Sequence, residues 1–272
     1  MKDILVSIES SENCKSSIQA AMELAQTYDS HITCLYEEGF FGYSSYADVH
    51  ADLVAGQFKE KLENEKKLVR QVYDDCVSVR AHKCNLIFEK PDTSRNAVSY
   101  ANSSDIIVCN QRNVGNAVFQ TRNQATHLVM ATGKPVLIIP YIGMQETLGK
   151  NIVVAWDSSR EASRALHDSL PLLKRAQQVH IFSAIDDKSM SNKLTATNIK
   201  THLEHHDVNV ENNPVVIDDI SVAEMLLSRA SDYGADLIVM GAYGHSRLRE
   251  YTFGGTTKTM FDSMTIPVLM TH

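Results

Sequence analysis

Short runs of consecutive apolar residues alternate along this chain with longer segments whose apolar residues recur every three or four positions. The short runs have the length and β-branched content of strands buried on both faces, and the longer segments have the period of amphipathic helices. In the second half the pattern predicts a strand over Ile152–Trp156, a helix over Ser159–Arg175 and a strand over Val179–Ile185. A helix over Lys193–His206, a short strand near Val215–Ile217 and a helix over Val222–Tyr233 follow. The half closes with a strand at Leu237–Gly241, a short helix at Thr256–Ser263 and a strand at Pro267–Met270. The first half repeats the plan, with strands at Ile4–Ile8, Ile32–Tyr36, Asn85–Glu89, Ile106–Cys109 and Val136–Ile139. Alternating apolar strands and amphipathic helices imply a parallel sheet covered on both faces.

The two halves also match in letters. DILVSIESSENCKSSIQAA from Asp3 aligns without gaps on NIVVAWDSSREASRALHDS from Asn151. SDIIVCNQRN (Ser104–Asn113) aligns on ADLIVMGAYG (Ala235–Gly244), and GKPVLIIP (Gly133–Pro140) on TIPVLMTH (Thr265–His272). Three matched blocks in one order indicate a tandem duplication. The expected domains are 1–144 and 145–272, joined within the polar, glycine-bearing segment Tyr141–Lys150. The first half carries a longer insert after its second strand. Its aromatic run Phe40, Phe41, Tyr43, Tyr46 reads as packing for a loop and the following helix, with a lid or interface as the alternative.

Composition narrows the classes. With 43% hydrophobic and 22% charged residues over 272 positions, each half can bury a core of its own. A net charge of −7 argues against a general nucleic-acid or anionic-membrane binder. No apolar run reaches the roughly 18–20 residues of a membrane span, and the N-terminus reads as a strand, not as a secretory signal. The expectation is a cytoplasmic protein. The five cysteines, Cys14, Cys34, Cys76, Cys84 and Cys109, all lie in the first half and match no zinc or thioredoxin spacing. They read as reduced core thiols, with redox sensing as the alternative.

The chemistry concentrates in MGAYGHSRLREYTFGGTTKTMF, Met240–Phe261. A buried strand ends, Gly241 and Gly244 bracket two residues, nine residues follow, and Gly254-Gly255-Thr256-Thr257 opens a helix. Glycines permit close backbone approach and positive φ. The N–H groups of Gly255, Thr256 and Thr257 at a helix N-terminus are free donors where the dipole favours an anion, and the two threonine hydroxyls add more. This is neither GxxxxGK[ST] nor GxGxxG. Taken alone, the spacing fits an oxyanion cradle or a glycine-bearing loop with a capped helix.

The segment resembles the G-2x-G-9x-G-[S/T] signature of the ATP-binding branch of the universal stress protein family, and the whole chain resembles a tandem member. Gly255 stands where that family has Ser or Thr. The resemblance implies two flavodoxin-like (Rossmann-type) α/β domains, each with a five-stranded parallel sheet and helices on both faces. It implies an intramolecular pseudo-dimer in which the Val136–Ile139 and Val268–Met270 strands meet, with a further homodimer open. It assigns Asp157 to the ribose or phosphate edge, Ala155 and Trp156 to the base pocket, and Ile185 to the adenine edge. Met240, Gly241, Tyr243 and Gly244 would wrap the sugar and α-phosphate, and Gly254, Gly255, Thr256 and Thr257 the outer phosphates. Two of these have second readings: Asp157 as a helix N-cap and Trp156 as core. The ligand implied is ATP or another adenine nucleotide, with Mg²⁺ or Mn²⁺ as counter-ion. His245, Arg247 and Arg249 lie inside the nine-residue span as candidate phosphate cations or solvated loop charges.

The first half departs from the signature. Glu9 replaces the strand-one Asp, Asn110 and Asn113 replace the bracket glycines, and no Gly-Gly opens the next helix. One nucleotide site per chain is therefore expected. His202, His205, His206 and Asp207 read as a solvated helix end in preference to a metal site. No catalytic residue is assigned, since no G-x-S-x-G elbow, Ser-His-Asp order or SGGxDS-type loop occurs. The functional expectation is a stress-response protein that holds an adenine nucleotide as a regulatory signal. A slow ATPase or phosphotransferase, and a module binding another small ligand or a protein, are the alternatives.

Overall fold

The computed structural model describes residues 1–11, 13–38, 51–77, 83–90, 96–111, 124–144, 147–185, 190–216, 221–243 and 255–272. The chain forms two compact units, Met1–Gly143 and Met144–His272.

The first unit contains β1 (Asp3–Ile8), α1 (Cys14–Tyr28), β2 (His31–Glu37), α2 (Ala51–Val77), β3 (Cys84–Glu89), α3 (Ala97–Ala101), β4 (Ile106–Asn110), α4 (Gln124–Thr132) and β5 (Val136–Ile139). Its strands are parallel in the order β3-β2-β1-β4-β5. The second unit contains β6 (Asn151–Ala155), α5 (Arg160–Leu173), β7 (Gln178–Ile185), α6 (Met190–Glu204), β8 (Val210–Val216), α7 (Val222–Asp232), β9 (Leu237–Gly241), α8 (Thr256–Ser263) and β10 (Val268–Thr271). Its order, β8-β7-β6-β9-β10, is the same 3-2-1-4-5 arrangement, again all parallel. Because parallel crossovers are right-handed, connections running one way from the first strand cover one face and those running back cover the other. Each unit is thus a doubly wound Rossmann-type α/β sheet.

The strands are continuous apolar runs because both faces are covered. Ile4, Leu5 and Val6 of β1 are sealed from solvent, as are Ile152 and Val153 of β6, Leu237, Ile238 and Val239 of β9, and Val268 and Leu269 of β10. One strand departs from the sequence expectation. β8 spans Val210–Val216 and pairs with β7 along its whole length, from Val179↔Val210 to Ile185↔Val216. Asn212, Asn213 and Pro214 interrupt its apolar run, so the pattern shows only its end. A proline without a donor is tolerated there because β8 has a neighbour on one side only within its unit. The aromatic run at Phe40–Tyr46 lies outside the described residues.

Both units use the same aspartate to lock the first strand to the fourth. Asp105, just before β4, accepts hydrogen bonds from the backbone N–H of Lys2 and of Asp3, the latter at 3.2 Å. Asp236, just before β9, accepts from Lys150 N and Asn151 N, each at 3.0 Å, and from Thr147 Oγ1 at 2.7 Å. The Lys2 N–H, reinforced by Asp3, holds the Asp105 carboxyl below the ordinary value near 3.8, against the opposing effect of burial. A depressed carboxyl pKa stabilises the fold fully above its unfolded value, and that contribution disappears as pH falls through the folded value. The wild-type first unit should therefore lose melting temperature more steeply between about pH 4 and pH 2 than Asp105→Asn does. Parallel melting curves of the two proteins in acid would expose an error by superimposing after a constant offset.

Candidate functional site

In each unit the strand order reverses beside the first strand, and the crevice beyond the carboxyl ends of the first and fourth strands is where doubly wound sheets bind ligands. In the second unit those ends belong to β6 and β9.

β6 stops at Ala155, and the chain continues through Trp156, which is 9% exposed and donates its backbone N–H to Phe182 O at 2.8 Å. Its indole Nε1 is buried with no hydrogen-bond partner. Asp157 is exposed, and its Oδ1 accepts the Ser159 N–H at 2.9 Å, closing an Asx turn over Ser158 at φ +65°. The cap of α5 is Ser159, whose Oγ accepts from Ala162 N at 3.0 Å. The reading of Asp157 as the cap is thus corrected: the turn it makes delivers the next cap residue.

β9 ends at Gly241 against the start of α5. A Cβ on Gly241 would stand 2.5 Å from Ala162 N, 2.6 Å from Glu161 C and 2.9 Å from Glu161 Cβ. The glycine lets the α5 backbone lie directly on the end of β9, the packing use of glycine in dinucleotide folds. Met240 before it is buried, and Ala242 after it donates to Thr271 O at 2.9 Å. Tyr243 turns at φ +55°, and its N–H donates to Thr257 Oγ1 at 3.3 Å. That bond ties the two ends of the glycine loop together across 14 positions. Gly244, His245, Arg247, Arg249 and Gly254 lie outside the described residues.

Gly255 is the N-cap of α8, extended at φ −69°, ψ 157°, and it has no side chain with which to cap the helix. Its first-turn N–H groups have no acceptor within the helix, and the dipole is positive there. Thr256 is half-buried at its first position, and Thr257 is buried. Ile185 ends β7 with its backbone paired to Val216. The residues expected from sequence thus divide into Ala155, Trp156 and Asp157 at the end of β6, Met240, Gly241 and Tyr243 at the end of β9, Gly255, Thr256 and Thr257 at the start of α8, and Ile185 one strand away.

At the corresponding strand ends of the first unit, polar side chains are bonded to neighbouring elements. Asn110, aligned with Gly241, donates its Nδ2 to Asn13 O at 2.9 Å and to Ser16 Oγ at 3.1 Å. Gln124, at the start of α4, is buried and donates its Nε2 to Ser7 Oγ of β1 at 2.6 Å. Carboxylates crowd the other strand ends. Glu37 and Glu89 stand opposite each other on β2 and β3, and Glu38 is buried against Lys66 Nζ at 2.7 Å. Burial pushes the Glu37 carboxyl up; the Ala97 N–H opposes this and the Glu89 charge adds to it. Among the described residues, the carboxylates at these strand ends oppose a bound polyanion.

The sequence offered Ser158 and Ser159 as caps, and Ser159 is the one that caps α5; the Tyr243–Thr257 tie and the hydrogen bonds of Asn110 and Gln124 were missed. The matched aspartates at 105 and 236 stood in its own alignment but were given no role. On the opposite flank, His202 lies 5.3 Å from the His167 ring and 4.7 Å from the His206 ring. Burial lowers its pKa, and the His206, His167 and His205 rings lower it further. Among the described residues no group of three or more His, Cys, Asp or Glu is arranged to hold a metal ion. No helix among them is long and apolar enough to cross a membrane.

Residues 149–272 match the model of the universal stress protein family. Among solved structures, a universal stress protein from Archaeoglobus fulgidus DSM 4304 aligns over 99% of this chain and 97% of its own, at 16% identity and a TM-score of 0.72. A protein of Pseudomonas aeruginosa UCBPP-PA14 described as a universal stress protein aligns over 100% of this chain and 93% of its own, at 15% identity and a TM-score of 0.57. At such identities the likeness concerns the fold, and in both it runs the length of the two-unit chain. No curated protein matches the chain.

Proposed function

We propose that the universal stress protein domain at residues 149–272 holds one molecule of ATP or a closely related adenine nucleotide across the carboxyl ends of β6 and β9. The observation that carries this reading is the start of α8. The helix opens on Gly255, a cap residue without a side chain, and its second residue, Thr257, is tied to the exit of β9 through Tyr243. A polyphosphate there gains the backbone N–H groups of the first turn, the helix dipole and the Thr256 hydroxyl. The base lies towards Trp156 and the end of β7, and Asp157 lies at the sugar edge. Mg²⁺ or Mn²⁺ neutralises the outer phosphates. The first unit takes no nucleotide: Asn110 and Asn113 stand in place of the bracket glycines, no Gly-Gly precedes α4, and carboxylates stand at its strand ends.

The role that fits a holding site without an assigned general base is a signal: nucleotide occupancy reports cellular energy state in a cytoplasmic stress response. The test is calorimetric titration of the intact protein with ATP, ADP, AMP and cAMP, with and without Mg²⁺. The expected result is one nucleotide per chain, loss of binding in Gly254→Val, and a fluorescence change from Trp156, the single tryptophan of the chain. A folded wild-type protein that takes up none of the four would overturn the reading. A stoichiometry of two would overturn the assignment of the first unit.

A further inference from the structure

All five cysteines lie in the first unit, and two of them face each other. Cys34 sits on β2 and Cys84 is the first residue of β3. In the parallel register Cys84 stands opposite Ile32 and Cys34 opposite Leu86, which makes the two thiols diagonal neighbours on one face. Their Sγ atoms are 3.9 Å apart. Cys34 is sealed from solvent, whereas Cys84 is half-buried.

We propose that Cys34 and Cys84 form a modification site for hydroperoxides, in which Cys84 is oxidised first and Cys34 resolves it to a disulfide. The Cys84 thiolate attacks the outer oxygen of the hydroperoxide. An S–O bond forms, the O–O bond breaks, and the remaining alkoxide leaves as alcohol, or water from hydrogen peroxide, after taking a proton. Sulfur loses two electrons and becomes sulfenic acid. The Cys34 sulfur then attacks the Cys84 sulfur. The S–S bond forms, the S–O bond breaks, and hydroxide leaves with the Cys34 proton as water. A dithiol reductant reverses the mark by exchange.

The division of roles follows from position. Of this pair peroxide reaches only Cys84, the thiol with access to solvent, and the thiolate is the reactive form. The hydrogen bond from Cys34 favours the Cys84 thiolate, with Tyr73 in support and burial opposing. Cys34 is held protonated by that same bond and by burial. The other thiols are poorer targets. Burial pushes Cys14 up to about 12 and Cys109 higher still, and it also raises Cys76 on α2.

Bond formation needs the sulfurs to approach to about 2.05 Å. With parallel strands about 4.8 Å apart and a two-residue offset of about 6.6 Å, the two Cα atoms stand roughly 8 Å apart, beyond the usual limit for a bridge. The start of β3 must therefore move. It is the last strand on its side of the unit, and besides its ladder with β2 its start is held by Tyr73 Oη to Cys84 O at 2.8 Å and Ile32 N to Lys83 O at 2.8 Å. Oxidation should loosen both, which couples the thiol state to the packing of α2 on β3.

The reduced full-length protein is treated with hydrogen peroxide, unfolded and labelled with a maleimide. The expected result is a fall from five free thiols to three, a Cys34–Cys84 linked peptide on digestion, and recovery with dithiothreitol. Cys34→Ser should leave a Cys84 sulfenic acid that dimedone traps, and Cys84→Ser should leave Cys34 reduced. A Cys76–Cys84 link, retention of all five thiols in the wild type, or oxidation of Cys34 at the wild-type rate in Cys84→Ser would each overturn the proposal. Peptide mapping of the wild type decides the pairing even if a variant folds poorly.

Discussion

Asp236→Ala is expected to cost the second unit roughly 3–5 kcal/mol, enough to leave it partly unfolded at 37 °C. The carboxylate is 2% exposed and accepts three hydrogen bonds, from Thr147 Oγ1, Lys150 N and Asn151 N. Truncation removes all three acceptors at once. The two amides belong to the entry of β6, and with the buried carboxylate gone each loses its charged acceptor, at a desolvation cost wherever water does not reach. Asp236→Asn keeps the shape but turns an N–H₂ towards one of these donors, so it should recover only part of the loss. Asp105→Ala removes the same device from the first unit, yet Asp105 is exposed and water can take over, so its effect should be the smaller. Urea unfolding followed by hydrogen exchange resolves the two units. A second unit within about 1 kcal/mol of wild type after Asp236→Ala would show that the clamp is dispensable.

Much of this was legible in the chain because the physics is local. β9 and α8 were read at their observed ends, since a buried apolar run and a helix opened by Gly-Gly-Thr-Thr each carry their own signal. β8 was not, because its pairing with β7 overrides the weak strand pattern of Val-Glu-Asn-Asn-Pro. The clamp was visible as a matched aspartate in the repeated blocks, but its purpose depends on β1 and β4, or β6 and β9, being neighbours. That register comes only from the three-dimensional fold. Asn110 and Gln124 are similar cases. Their letters announced the loss of the glycines, while their hydrogen bonds to Asn13, Ser16 and Ser7 show what took the glycines' place.

The two units share one topology, and each shows a different residue at the end of its fourth strand. In one, a glycine at the end of the fourth strand lets the neighbouring helix lie on the backbone. In the other, an asparagine fills the same position and is bonded to that helix. Glycine at 241 was expected from sequence for close approach to a ligand. The local geometry adds a reason independent of any ligand, namely the seating of α5.

Gly241→Ala separates these reasons. The new methyl would meet Ala162 N and the Glu161 carbonyl carbon at 2.5 and 2.6 Å, and both are backbone atoms that no rotamer change can move aside. The start of α5 must shift bodily, at a cost of about 3 kcal/mol for overpacking. The shift also moves Ser159 and the Asx turn of Asp157, both fixed to the first turn of α5. Calorimetric melting should show the second unit destabilised and the first unchanged, and adenine nucleotide affinity should fall at least tenfold at temperatures where the unit is still folded. Thr257→Val, which removes the acceptor for Tyr243 N while leaving the α5 contact intact, should weaken binding with a much smaller change in melting. Wild-type stability in Gly241→Ala would refute the packing argument. Lost stability with undiminished affinity would place the nucleotide away from the end of β9, and the site would then have to be sought beyond β7.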